Sequence, residues 1–263
     1  MAAALAFASV AACAPLPVNL GAPPQELAPT GKLRVGIGVG AVSSAFWATR
    51  DPATGRPKGV TVDLGIDLAR KINLPLEFVV YNNSGEVTAA GPLGEWDVAF
   101  MPVDAERAKM VDFGPAYFLV ESTYLVPAGS SVRGIEDVDR PGTRVIGIEG
   151  TTTARSAQRS LTHVKLQTVR TIDELYEAMR SGTADAIALG RESLDSFAAN
   201  FPGSRVLPGH FQATGVAIAV PKNHPLALSY VSAYIEDAKA SGVVRRALDN
   251  AGMKDAAVAP AAH

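Results

Sequence analysis

The chain has 263 residues, of which 48% are hydrophobic and 19% charged, with a formal net charge of −2. This is the balance of a globular protein of one large or two modest domains, and bulk charge gives no support to a nucleic-acid or anionic-membrane partner. No apolar run approaches the ~20 residues of a membrane-spanning helix, and a single cysteine, Cys13, excludes an intrachain disulfide.

Residues 1–12 are almost wholly small and apolar and end Val10-Ala11-Ala12-Cys13, which resembles a bacterial lipobox with Cys13 as the lipidated residue. No Lys or Arg precedes the apolar run, as signal peptides normally have; a start codon placed too late would account for that. The alternative is a cleaved soluble signal with Cys13 incidental, and both readings predict export. Residues 14–29 are proline-rich and aperiodic, as a tether should be, so residues 1–30 are expected to be a signal or lipoprotein segment with linker.

The folded part is expected to begin with a strand over 33–40. Gly36, Gly38 and Gly40 could suggest a dinucleotide loop, but the spacing is G-x-G-x-G and no helix pattern follows, so close backbone approach at the strand end is preferred. Residues 41–47 read as a cleft lip, 51–55 as a tight turn, and 59–72 as a helix with Leu64, Leu68 and Ile72 at helical spacing. A strand over 76–81 ends in the polar turn Asn82-Asn83-Ser84-Gly85. After the apolar run 98–101, Pro102 stops a buried strand. Residues 119–126 are extended and apolar. A strand over 144–148 meets Thr151-Thr152-Thr153, where a helix start would favour anions. Further strand and helix patterns follow over 164–169, 172–181, 182–189 and 214–220, with closing helices over 225–241 and 243–251.

Arg107 stands just past the end of the 98–101 strand, where open α/β sheets bind ligands, and its planar fork of donors suits a carboxylate. On spacing alone it could equally be a surface arginine paired with Glu106 or Asp104. The run Arg107-Ala108-Lys109-Met110-Val111-Asp112-Phe113-Gly114-Pro115-Ala116-Tyr117 resembles the signature of the amino-acid-type (family 3) periplasmic solute-binding proteins, and the resemblance covers roughly residues 32–253. It implies an α/β, two-lobed, type II periplasmic binding protein-like fold, each lobe a mostly parallel sheet flanked by helices, with the ligand cleft between lobes. The lobes would be 31–118 with the return segment 216–256, and 119–215; residues 257–263 would form a tail. It also implies that Arg107 grips a ligand carboxylate.

The expected function is therefore the binding component of an ABC uptake transporter, a monomer without cofactor or metal. It would capture a small carboxylate-bearing solute, organic acid or amino acid, and hand it to a membrane permease. Candidate ligand-binding residues are Phe46, Asn82, Ser84, Met101, Val103 and Arg107 from the first lobe, and Thr151, Thr152, Gly190 and Arg191 from the second. Arg191 could instead be bridged to Glu192 or Asp195. The family's amino-acid binders usually carry an acidic residue where Gly190 stands and flanking aromatics near Ser43 and Ser84. Their absence favours an organic acid, a dicarboxylate included, although Glu149 could take an ammonium. No G-x-S-x-G, H-E-x-x-H or Walker loop is found, and the four histidines show no ligand spacing. Cyclohexadienyl dehydratases share this fold and are the enzymatic alternative.

Overall fold

The structure, a computed structural model, describes residues 20–39 and 44–262. Cys13, the start of the expected tether, residue 40 of the expected first strand and residues 41–43 of the expected cleft lip lie outside the described residues.

In chain order the elements are β1 (Leu33–Gly38), a small hairpin of β2 (Thr49–Arg50) and β3 (Pro57–Lys58), α1 (Val60–Lys71), β4 (Leu76–Tyr81), α2 (Ser84–Ala90), β5 (Val98–Pro102), β6 (Val111–Val126), β7 (Val145–Ile148), α3 (Thr152–Ser160), β8 (Gln167–Val169), α4 (Ile172–Arg180), β9 (Ala186–Gly190), α5 (Arg191–Ala198), β10 (Arg205–Val206), β11 (Gln212–Pro221), α6 (Pro225–Ala240) and α7 (Val243–Asn250). One mixed sheet runs β4-β1-β5-β11-β6-β9-β7-β8, with β10 paired to β6.

The two ends of the sheet are parallel: β1 with β4 and β5, and β7 with β8 and β9. The inner strands β5 and β7 are apolar and buried at every position and β9 at all but its last, as parallel strands covered by helices must be, whereas the edge strands β4 and β8 carry exposed polar residues. The antiparallel pair β6 and β11 joins the ends. β11 pairs with β5 through 216–219, and β6 passes on to pair with β9 through 122–125. Each half has its own core, because one sheet end cannot be covered from the other. Leu33, Val35, Leu64 and Leu68 pack with Val231, Tyr234, Ile235, Val244 and Leu248, so α6 and α7 lie on the first half although they close the chain. Val145, Ala157, Leu161 and Leu166 pack on one face of the second half, and Ile146, Leu175, Ile187 and Phe197 on the other.

Two glycines of the first strand make room for neighbours within the protein. A Cβ on Gly36 would stand 2.9 Å from Cδ1 of Trp96, and one on Gly38 would stand 3.4 Å from the Asn83 carbonyl carbon. Trp96 is fully buried and donates its indole N–H to the Val87 carbonyl at 2.8 Å.

Three local expectations are corrected. The tether does not extend to Pro29: Leu27 is fully buried, and Glu26 Oε2 accepts the amides of Leu226 (2.9 Å) and Ala227 (3.2 Å), capping α6 from outside its own chain segment. The tail beyond 256 is docked: Ala259 donates its amide to the Tyr117 carbonyl at 2.9 Å, and Lys239 holds the Pro260 carbonyl at 2.8 Å. The polar turn at 82–85 is a helix start: Asn83 Oδ1 accepts from the amides of Gly85 (2.8 Å) and Glu86 (3.0 Å) and so caps α2.

Candidate functional site

A cavity lies where the strand ends of the two halves meet. The first half contributes Ile37 and Gly38 from the end of β1, Trp47, Thr61, Asn82, Asn83, Ser84 and Val87, and Phe100 and Pro102 from β5. The second contributes Ile148, Thr151, Thr152 and Thr153 at the start of α3, Ile172, Leu189, Gly190 and Ser193, with Val120 of β6 between them. The wall is apolar with hydroxyl and amide groups set into it, and none of the described lining residues is ionisable. That composition suits a small solute held by hydrogen bonds in a largely dry space.

Charge stands one layer behind the wall. Arg107 is 1% exposed; it donates from Nη2 to Ser84 Oγ at 2.8 Å and from Nη1 to the Pro102 carbonyl at 3.4 Å. Ser84 and Pro102 both line the cavity, so Arg107 backs the wall rather than forming it. Its Nε finds no hydrogen-bond partner among the described residues; the Asp104 Oδ2 lies 3.6 Å away. Burial pulls the Arg107 pKa down to about 10, with Asp104 opposing and Arg155 adding to the fall, which leaves it cationic at neutral pH. Of the two partners open from spacing, Asp104 is the one it meets. Glu106 pairs with Lys109 at 2.8 Å.

Asp104 has two functions. Its Oδ1 accepts the amides of Glu106 and Arg107, each at 2.9 Å, and so caps the short turn that carries Arg107. Its Oδ2 reaches across to the second half, where it accepts from the Thr152 hydroxyl and from Arg155 Nη2. Burial works to raise its pKa, but Thr152, the Arg107 amide and Arg155 outweigh it and hold the carboxyl below the ordinary range. Thr151 closes the same corner: its hydroxyl accepts the Ala154 amide at 3.1 Å, which caps α3, and donates to the Ile148 carbonyl at 2.8 Å. Thr151, Thr152 and Thr153 at the start of α3 all line the cavity, and a helix start is a place that favours an anion.

Two further contacts cross the cleft. Asn83 Nδ2 donates to the Arg170 carbonyl at 3.1 Å. The backbones of Gly85 and Gly150 meet so closely that a Cβ on Gly85 would lie 3.0 Å from the Gly150 oxygen. A methyl there would crowd the Gly150 carbonyl and, at the same 3.0 Å, the Asn83 Oδ1 that caps α2, so one or both must yield. Gly85→Ala should therefore weaken solute binding roughly tenfold and cost about 1 kcal/mol of folding stability at most, through the crowded cap, measured by calorimetric titration beside urea unfolding. Equal affinity in the variant would mean the halves do not need this approach.

The other candidates divide. Asn82, Ser84, Thr151, Thr152 and Gly190 line the cavity. Phe46 does not: it is fully buried in an aromatic cluster, 4.7 Å from Trp47 and 4.5 Å from Phe118 between ring centroids, and its neighbour Trp47 faces the cavity instead. Met101 is likewise buried, with its sulfur 3.4 Å from the Thr88 hydroxyl, and Val103 is engaged through its amide to the Gly215 carbonyl at 2.8 Å. Phe100 and Pro102 take the places expected of Met101 and Val103, because successive residues of a strand face opposite sides. Arg191 is tied down away from the cavity, donating to Glu121 at 3.0 Å and to the Gly209 carbonyl at 2.5 Å. Its partner is Glu121 of β6 rather than Glu192 or Asp195. Glu149 stands in an adjacent groove with Arg107, Arg155 and Arg170. Trp47, Asn83 and Thr153 were reached from sequence only through their segments, the cleft lip, the polar turn and the threonine run, and Ser193 was missed. Ser193 was findable, since it lies three residues past Gly190 on the helix that follows, one turn along the same face.

Among the described residues no group of three His, Cys, Asp or Glu side chains could hold a metal ion, and no helix is long and apolar enough to cross a membrane. The sequence pattern of the bacterial extracellular solute-binding proteins, family 3, matches residues 37–251. The chain is 25% identical over 209 residues to the glutamine-binding protein of Geobacillus stearothermophilus, covering 75% of this chain and 76% of that protein. Among solved structures, a mutant of ArgBP from T. maritima superposes with a TM-score of 0.75 at 23% identity, covering 86% of this chain and 97% of the other. The ancestral amino acid-binding protein AncCDT-1, a precursor of cyclohexadienyl dehydratase, superposes with a TM-score of 0.74 at 26% identity, covering 86% and 97%.

Proposed function

Because this chain belongs to the bacterial extracellular solute-binding proteins of family 3, we propose that it is the substrate-binding component of an ABC uptake transporter, taking one small carboxylate-bearing solute and delivering it unaltered to a membrane permease. The observation that carries this reading is the cavity itself: strand-end and helix-start residues from both halves converge on one space, and contacts from each half close across it. The moving units we propose are residues 31–118 with 216–256, and residues 119–215, closing about β6 and β11 in a hinge motion. The solute's carboxylate would lie at the corner shared by Ser84, Arg107, Thr152 and the start of α3, where donors from both halves meet. Cys13 is proposed as the lipidated anchor of an exported protein that works as a monomer.

Amino acids, mono- and dicarboxylates and aromatic acids, screened by thermal shift, test the binding reading, since a ligand of the folded state raises the melting temperature by mass action. Each compound that stabilises the protein is then incubated with it and recovered for mass spectrometry. The expected result is one class of stabilising carboxylate, returned unchanged. Turnover of prephenate or arogenate would replace this reading with a dehydratase, AncCDT-1 being a precursor of cyclohexadienyl dehydratase.

A further inference from the structure

Most polar side chains set into the cavity wall are already engaged within the protein. Thr61 donates its hydroxyl to the Trp47 carbonyl at 2.6 Å, and Thr153 shares a hydrogen bond with Ser122 at 3.1 Å. Asn82 donates to Glu86 at 3.1 Å, and Thr152 donates to Asp104. Asn83 is used at both ends, its oxygen on the α2 cap and its nitrogen on the Arg170 carbonyl. What is left for the body of a solute is hydrocarbon. Ile37, Phe100, Val120, Ile148 and Leu189 line the space from both halves and from β6 between them, and all five are buried.

Charge is supplied at one corner only. There the guanidiniums of Arg107 and Arg155 share the single carboxylate of Asp104, which leaves one positive charge over. Ser84 accepts from Arg107 and keeps its own O–H to donate into the cavity. The acids that could receive an ammonium stand elsewhere. Glu149 lies in the groove with Arg107, Arg155 and Arg170, and Glu192 in a separate groove with Glu121, Arg191 and Asp195. Glu86, held by Asn82, is exposed and screened by water. Residues 40–43 of the cleft lip, Gly-Ala-Val-Ser, bring no charge. An ammonium or a second carboxylate taken into this space would lose its water and meet no counter-charge in the described wall. We infer that the solute is a monocarboxylate with an uncharged, apolar body, preferred over both α-amino acids and dicarboxylates. This inference rests on the solute-binding reading and names its substrate class. It narrows the organic acid expected from the missing acid at 190, because dicarboxylates are set aside as well.

Size restricts the body further. The space is about 120 Å³, of the order of the ~150 Å³ apolar cavity that takes a benzene ring. The body is therefore a single ring or a short, branched or straight, hydrocarbon chain.

The test uses the full chain in calorimetric titrations at neutral pH. Isovalerate, hexanoate and phenylacetate are compared with their α-amino counterparts valine, norleucine and phenylglycine, and with the dicarboxylates methylsuccinate and adipate. Wild type should bind at least one monocarboxylate, at least roughly tenfold more tightly than its charged counterparts. Ile172→Asp sets a carboxylate into the lining at the first position of α4, a half-buried place where an acid suits the helix start, so the fold should persist in urea unfolding. It should weaken the monocarboxylate and shift the ratio at least roughly tenfold toward the α-amino counterpart, whereas Ile172→Leu should keep the wild-type ratio. An amino acid or dicarboxylate bound by wild type at least as tightly as its monocarboxylate partner, or a ratio unmoved by Ile172→Asp, would overturn this substrate class and leave the solute-binding reading standing. If no acid of this panel or of the wider thermal-shift screen binds wild type, the solute-binding reading falls and this inference with it.

Discussion

Arg107→Met should lower affinity for the carboxylate-bearing solute by about 2–5 kcal/mol, roughly thirtyfold to several thousandfold, while the fold persists. The guanidinium backs the cavity through Ser84, which lines it, so a carboxylate at that corner draws on a positive charge one hydrogen bond away; among the described residues its Nε has no hydrogen bond. Methionine is the informative replacement because the side chain is 1% exposed; alanine would add the cost of a void to the loss of charge. Asp104 keeps Thr152 and Arg155 in the variant, so its charge is not stranded. Calorimetric titration of wild type and variant, with urea unfolding as the stability control, decides the matter. Unchanged affinity for the wild-type solute would remove Arg107 from the site.

Asp104→Ala should be the most destabilising polar substitution of the cleft, at about 3–5 kcal/mol, because it strands the buried Arg107 charge. It also removes the cap on the turn carrying that arginine, a further contribution of about 1 kcal/mol. Asp104→Asn separates the two effects, since asparagine caps as well as aspartate but carries no charge. Combining Arg107→Met with Asp104→Asn should cost less than the sum of the single changes, the signature of a coupled pair. Strict additivity in urea unfolding would mean that the 3.6 Å approach is incidental. The pH dependence has a definite sign. A carboxyl held below its ordinary pKa stabilises the fold above that ordinary value, and the contribution is lost as pH falls through the lower, native one. The stability of Asp104→Asn should therefore fall less steeply than that of wild type between neutral pH and about pH 2.

Local chemistry is legible wherever one segment decides its own conformation. The leucines of α1 repeat at helical spacing and bury together. Thr151 caps α3, as a threonine at a strand-to-helix junction should. The alternation of strands and helices fixes the class of fold before any contact is known. The short helix α2 was not legible, because Ser84–Ala90 reads as a polar turn until Asn83 is seen capping it and Val87 and Ala90 are seen packed with Trp96.

What the chain alone determined is thus the α/β class, the turn that presents Arg107 and the threonine-rich helix start that faces it. Which residues look into the cavity was decided only in three dimensions. β5 is buried on both faces, so no alternation of polar and apolar residues marked Phe100 and Pro102 as inward and Met101 as outward. The charges behaved likewise. Asp104 meets Arg155 across 51 positions, Arg191 meets Glu121 across 70, and Glu26 caps a helix 200 residues away. Sequence spacing gives the reach of a side chain within its own element; which distant carboxylate a buried arginine finds depends on how β6 and β11 bring the two halves of the sheet together.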